Sequence, residues 1–105
     1  MHPVFRRLGE CGLVSVVMID SSAHAVPLAR ALLAGGVSAM ELTLRSETAL
    51  ESLRRIVAEV PGMMVGAGTI LSKEQVGEVL AAGADFGVAP GTNKKVLQAA
   101  RDQGL

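Results

Sequence analysis

Short apolar runs alternate with longer amphipathic stretches along this chain. Leu13-Val-Ser-Val-Val-Met18 is Val-rich and almost continuously apolar, the pattern of a strand buried on both faces. Asp20, Ser21 and Ser22 follow with turn and N-cap chemistry, and Ala23 to Ala34 sets Val26, Ala29, Leu32 and Leu33 on one side of a helix. Gly35-Gly36 ends that helix, because glycine accepts the left-handed conformation at a helix C-terminus. The cycle then repeats. Ser38-Ala-Met-Glu-Leu-Thr-Leu44 reads as a second strand. Glu47 to Val60 reads as a second helix, with Leu50, Leu53, Ile56, Val57 and Val60 at helical spacing and a Glu51–Arg55 pair on its wet side. Pro61-Gly62 stops it, and Met63-Met-Val-Gly66 is a third short strand. Ser72-Lys-Glu-Gln75 has the S-x-x-Q spacing of a capping box and opens a third helix that runs to about Ala82, before Gly83. Asp85-Phe-Gly-Val-Ala89 is a fourth strand, Pro90-Gly91 turns, and Thr92 or Asn93 caps a fourth helix from Lys94 to about Gln103.

The pattern predicts an α/β fold of (βα)4 type as one unit over residues 1–105, with parallel strands at about 13–18, 38–44, 63–66 and 85–89. Helices of this length between strands imply right-handed crossovers. Periodicity leaves two architectures open, an open α/β sheet or half of a closed barrel. The chain has 105 residues, against roughly 250 in a whole (βα)8 barrel. Gly104-Leu105 follows the last helix like the lead-in to a fifth strand, so the expectation is part of a barrel, or a half-barrel that completes itself by association.

Composition narrows the class. Half of the residues are hydrophobic but only Phe5 and Phe86 are aromatic, so the core must be built from aliphatic side chains and Met. Ten basic residues balance ten acidic ones, which gives no footprint for nucleic acid. No apolar stretch approaches the roughly 20 residues of a membrane span, so no membrane partner is expected. Met1 to Glu10 carries Arg6 and Arg7 without the apolar run of a signal peptide. The single cysteine, Cys11, cannot form an internal disulfide, reads as a small residue ahead of a strand, and suits a reducing cytoplasm.

Ligands of α/β folds bind at the C-terminal ends of the strands. Glu41, Thr43 and Arg45 share one face of the second strand, and Met40, Leu42 and Leu44 share the other. A charge in a central strand is costly unless paired or functional. Glu41 and Arg45 therefore form either an internal ion pair with no further role or part of a site. Gly66-Ala-Gly-Thr69 is either a turn that offers backbone N–H groups to an anion or a plain βα loop. Lys73, Lys94 and Lys95 fall in the first turns of helices and read as solvated, and His24 and Asp85 read as structural. No Cys/His set has metal-ligand spacing.

Four segments together resemble one family. His24-Ala-Val-Pro-Leu-Ala-Arg-Ala-Leu-Leu-Ala-Gly-Gly-Val37, Glu41-Leu-Thr-Leu-Arg45, Val65-Gly-Ala-Gly-Thr-Ile-Leu71 and Ala82-Gly-Ala-Asp-Phe-Gly-Val-Ala-Pro-Gly91 are similar, in order and spacing, to the N-terminal half of 2-keto-3-deoxy-6-phosphogluconate (KDPG) and 4-hydroxy-2-oxoglutarate aldolases. The resemblance implies half of a TIM barrel and a class I aldolase without cofactor or metal, in which a lysine Schiff base serves as electron sink. It implies a 2-keto acid substrate with a pyruvate moiety, and a homo-oligomer, typically a trimer. Carried over by position, Glu41 would be the general acid/base, Arg45 would fork onto the pyruvyl carboxylate, Thr69 would hydrogen-bond it, and Pro90 would line the pocket. Ser15 stands where some members carry proline. The family's nucleophilic lysine and phosphate-binding glycines belong to later strands, so no residue here takes either role.

Overall fold

The computed structural model describes residues 2–45 and 48–105. The expected helix start at Glu47 lies outside the described residues. Among the described residues nine elements follow one another: α1 (Pro3–Cys11), β1 (Ser15–Val17), α2 (Ala25–Ala34) after a short 3-10 turn over Ser22–His24, β2 (Ala39–Thr43), α3 (Ala49–Glu59), β3 (Met64–Gly68), α4 (Lys73–Ala81), β4 (Phe86–Gly87) and α5 (Lys94–Gln103). The strands form one sheet in the order β1-β2-β3-β4. Every pair is parallel, with Val16 opposite Glu41, Glu41 opposite Gly66, Thr43 opposite Gly68 and Gly66 opposite Phe86. This is an α/β half-barrel, one of the two architectures that the alternation of strands and helices left open and the one that the resemblance implied.

The two faces of the sheet differ. Met40, Leu42, Val65 and Ala67 point into the main core, where Val26 and Ala29 of α2, Leu53 and Ile56 of α3, Val76 and Val79 of α4, and Val96 of α5 cover them. On the opposite face the N-terminal ends of the strands are covered. There Ala39, Met64 and Phe86 form a second cluster with Val4, Leu8 and Cys11 of α1 and with Val14. Above that plug the inner face is open along β1, where Val16 is 63% and Met18 58% exposed, whereas Thr43 at the end of β2 is buried. The first strand is therefore not buried on both faces as its Val-rich run suggested, because among the described residues nothing covers Val16 on its inner side.

Helix α1 was not anticipated from the sequence. Pro3 suits a first helical position, His2 Nδ1 accepts from the Val4 N–H (3.1 Å), and Val4, Leu8 and Cys11 lie one and two turns apart on the buried side. Cys11 consequently ends a helix rather than leading into a strand, with its Sγ 3.1 Å from Ser38 Oγ. Boundaries also move: β1 shortens from 13–18 to Ser15–Val17 and β2 from 38–44 to Ala39–Thr43. Residues 22–24 are a 3-10 turn ahead of α2, β4 is shorter than 85–89, and β3 continues two residues beyond Gly66. The capping signals hold: Ser72 Oγ accepts from the Gln75 N–H (3.2 Å), Gln75 Oε1 accepts from the Leu71 N–H (2.7 Å), and Asn93 rather than Thr92 caps α5 through the Lys95 and Val96 N–H groups.

Ile56 is fully buried and Leu97 is 56% exposed. Urea melts should show Ile56→Ala losing about 2–5 kcal/mol and Leu97→Ala within about 0.5 kcal/mol of the parent. Equal losses at the two positions would contradict this placement of the core.

Candidate functional site

Strand alternation sets Glu41 on the open inner face, with Val16 on one side of it and Gly66 on the other. Its carboxylate is half-buried and leans toward the C-terminal end of the sheet, onto Gly68. A Cβ at position 68 would collide with Glu41 Oε1, and a Cβ at position 66 would collide with the Phe86 ring. The glycines of Gly66-Ala-Gly-Thr69 thus have a different purpose from either one expected. Both lie within β3, and they clear the inner face for a neighbour's side chain, an aromatic ring below and a carboxylate above.

Glu41 and the Phe86 ring line a cleft of about 400 Å³ on this face, together with Phe5, Leu8, Val16 and Val88. Its walls are mostly apolar. Glu41, Asp85 and His2 are the ionisable side chains that line it among the described residues. Asp85 has a structural task as well. Its Oδ2 accepts from the Val65 N–H (2.8 Å) while its own N–H donates to the Val65 carbonyl (2.7 Å), which staples the start of β4 to β3. The structural role expected for Asp85 is thereby located.

The other candidates stand at strand ends. Arg45 is exposed just beyond β2, and among the described residues it makes no ion pair with Glu41. The bland alternative, a closed Glu–Arg pair, is therefore not what holds Glu41 in this strand. Among the described residues the ion pairs are those of Glu51 with Arg54 (3.6 Å) and Arg55 (3.2 Å) on the wet side of α3. Thr69 directly follows Gly68 and is half-buried with φ of 64°, the one non-glycine residue in the left-handed region among those described. A β-branched side chain there is strained, and strain of this kind collects at ligand sites. Pro90 lies beyond β4 and lines a separate shallow depression with Ile70, Leu71 and Thr92. The structure thus brings Glu41 to within one residue of Thr69, by way of Gly68. Arg45 and Pro90 share the same end of the sheet but not the cleft. Lys73, Lys94 and Lys95 are exposed in the first turns of α4 and α5.

The family profile described as Aldolase: KDPG and KHG aldolase matches residues 4–105. The chain belongs to the KDPG and KHG aldolase family. The 2-dehydro-3-deoxy-phosphogluconate aldolase of Dickeya dadantii is 50% identical over 90 residues, which span 86% of this chain and 42% of that protein. The KHG/KDPG aldolase of Escherichia coli K12 is 47% identical over the same shares. Among solved structures, the KDPG aldolase of Legionella pneumophila, with pyruvate captured at low pH as a covalent carbinolamine intermediate, superposes with a TM-score of 0.80 at 38% identity, over 84% of this chain and 43% of that one. The chain spans about 42% of the length of the two curated relatives. Its four parallel strands and their helices correspond to part of the TIM barrel of the KDPG and KHG aldolases.

Replacing Thr69 by glycine relieves the left-handed strain at the cost of a more flexible unfolded chain. Thr69→Gly should therefore be as stable as the parent or up to about 1 kcal/mol more stable in a urea melt. A clear loss of stability would show that the Thr69 side chain makes a contact that outweighs the strain.

Proposed function

We propose that residues 1–105 form the N-terminal half of a class I aldolase barrel and carry its carboxylate-binding and proton-transfer wall. The reaction is cleavage of KDPG to pyruvate and glyceraldehyde 3-phosphate, or of 4-hydroxy-2-oxoglutarate to pyruvate and glyoxylate. The observation that carries this reading is the Glu41 carboxylate on an otherwise apolar inner face, seated in a gap kept open by Gly68. A carboxylate so placed has no packing reason to be there. Its chemistry suits a general base that takes up a proton and returns it to a carbinolamine or an enamine. Arg45, exposed beyond the same strand, offers a planar fork of donors to a substrate carboxylate, and Thr69 offers a hydroxyl beside it. Pro90 walls the same end of the sheet.

C–C cleavage next to a keto group also needs an electron sink, supplied in this class by a lysine amine as an iminium. Lys73, Lys94 and Lys95 are the lysines of this sequence. All three are exposed in the first turns of polar helices and none lines the cleft. Residues 1–105 thus supply binding and proton transfer but not the nucleophile. The fitting location is the cytoplasm, where Cys11 stays reduced.

A second reading, an assembly module, has its own support. β1 and β4 each pair on one side only, and Val16, Met18 and Val88 are exposed on the inner face. Unpaired edges beside an apolar surface favour association, and a homo-oligomer would cover both.

Three measurements test these readings. Pyruvate should bind the chain weakly in calorimetry, and Arg45→Ala should weaken binding about tenfold, the loss of roughly 1.4 kcal/mol of charge-assisted hydrogen bonding. Equal affinity in the variant would remove Arg45 from the site. Borohydride reduction in the presence of pyruvate should leave the intact mass unchanged at neutral pH, and a stoichiometric adduct on one lysine would overturn the assignment of these lysines. Light scattering at micromolar concentration should give a mass above that of one chain, whereas a well-folded monomer would count against the assembly reading.

A further inference from the structure

We propose that Thr43 is a positioning residue whose hydroxyl donates to the Glu41 carboxylate and holds it at the level of Gly68. The inference rests on the reading of Glu41 as the acid/base of the site and adds a residue to which that reading gives no task. Thr43 is 9% exposed, and its Oγ1 is buried without a hydrogen-bond partner. A buried hydroxyl with no partner is costly, so one that persists calls for a partner the fold brings into reach. Ser52 Oγ is the other such atom among the described residues, but it sits inside α3, where the carbonyl one turn back is a local acceptor. A strand offers Thr43 no such acceptor, because its carbonyls are committed to the sheet.

The register identifies the partner. Thr43 shares the inner face with Glu41 and lies directly opposite Gly68, across a strand spacing of about 4.8 Å. Glu41 extends its carboxylate along that face until Oε1 occupies the space of the missing Gly68 Cβ. The carboxylate and the hydroxyl therefore stand at one level of the sheet. In the positions described Thr43 Oγ1 has no partner, and the proposed bond forms when the carboxylate turns about its last bond. A donated hydrogen bond favours the charged form of Glu41, so Thr43 sets both where the carboxylate points and how readily it takes a proton. Among the described residues, the other ionisable groups that line the cleft with Glu41 are His2 from α1 and Asp85 ahead of β4, with Arg45 beyond the end of its own strand.

The test is a carbon-13 titration of the Glu41 side-chain carboxyl in the parent chain, Thr43→Val and Thr43→Ser. Valine keeps the shape and removes the donor, so the Glu41 midpoint should rise by about 0.5–1 unit, while serine keeps it at the parent value. Glu59, exposed on α3, should titrate identically in all three and so reports any change that is merely global. An unchanged Glu41 midpoint in Thr43→Val overturns the proposal. Should the valine variant not fold, Thr43→Ala makes the same comparison. The titration needs no substrate: a midpoint shift without pyruvate binding overturns the aldolase reading alone, and pyruvate binding without a shift overturns the role of Thr43 alone.

Discussion

The Glu41 carboxylate rests where a side chain at position 68 would begin, and much of the inner face follows from that contact. A strand pair places opposed side chains too close together for a long acid to bend across its neighbour unless the neighbour has no Cβ. Gly68 meets that condition for Glu41, and Gly66 meets it one step lower for Phe86. The ring then closes the floor of the cleft against the α1 plug, and the carboxylate stands above it. The loss of two side chains from β3 is compensated on the other face, where Val65 and Ala67 are buried under helices. One five-residue strand thus stabilises the fold through one face and opens a working surface on the other.

Stability and chemistry are separated along the strands as well as across them. The N-terminal ends carry Ala39, Met64 and the apolar face of α1, a closed and dry cluster. The C-terminal ends carry Arg45, the strained Thr69 and Pro90. Glu41 lies between the two zones, half-buried, with apolar neighbours below it. Membership in the KDPG and KHG aldolase family gives this division a use, since the binding groups of such barrels gather at the strand C-termini.

Most of the helix-covered half of this fold was legible in the sequence. The spacing of Leu53, Ile56 and Val60 and the Ser72–Gln75 signal are local properties, and they placed α3 and α4 to within a few residues. The parity of Met40 and Leu42 against Glu41 and Thr43 was equally readable, because strand alternation is fixed by covalent geometry. Three features were not legible. Helix α1 was overlooked although Val4, Leu8 and Cys11 have helical spacing, because so short a segment is stable only against Phe86 and Met64, which are distant in sequence. The exposure of Val16 and Met18 depends on what covers β1, which no local pattern encodes. The purpose of Gly66 and Gly68 depends on register, and from sequence alone a glycine pair near a strand end reads as a turn. Only the two-residue alternation of Gly66 and Gly68, matched to that of Glu41 and Thr43, hinted that they share a face.

Under the proposed function, a 2-keto acid is held on the inner face of this half-barrel at the level of Gly68. Amide chemical shifts recorded residue by residue during a pyruvate titration test it most directly. The largest changes should cluster at Glu41, Arg45, Gly68 and Thr69 while α3 stays unchanged. Changes confined to the exposed lysines of α4 and α5, with Gly68 and Thr69 unmoved, would contradict it.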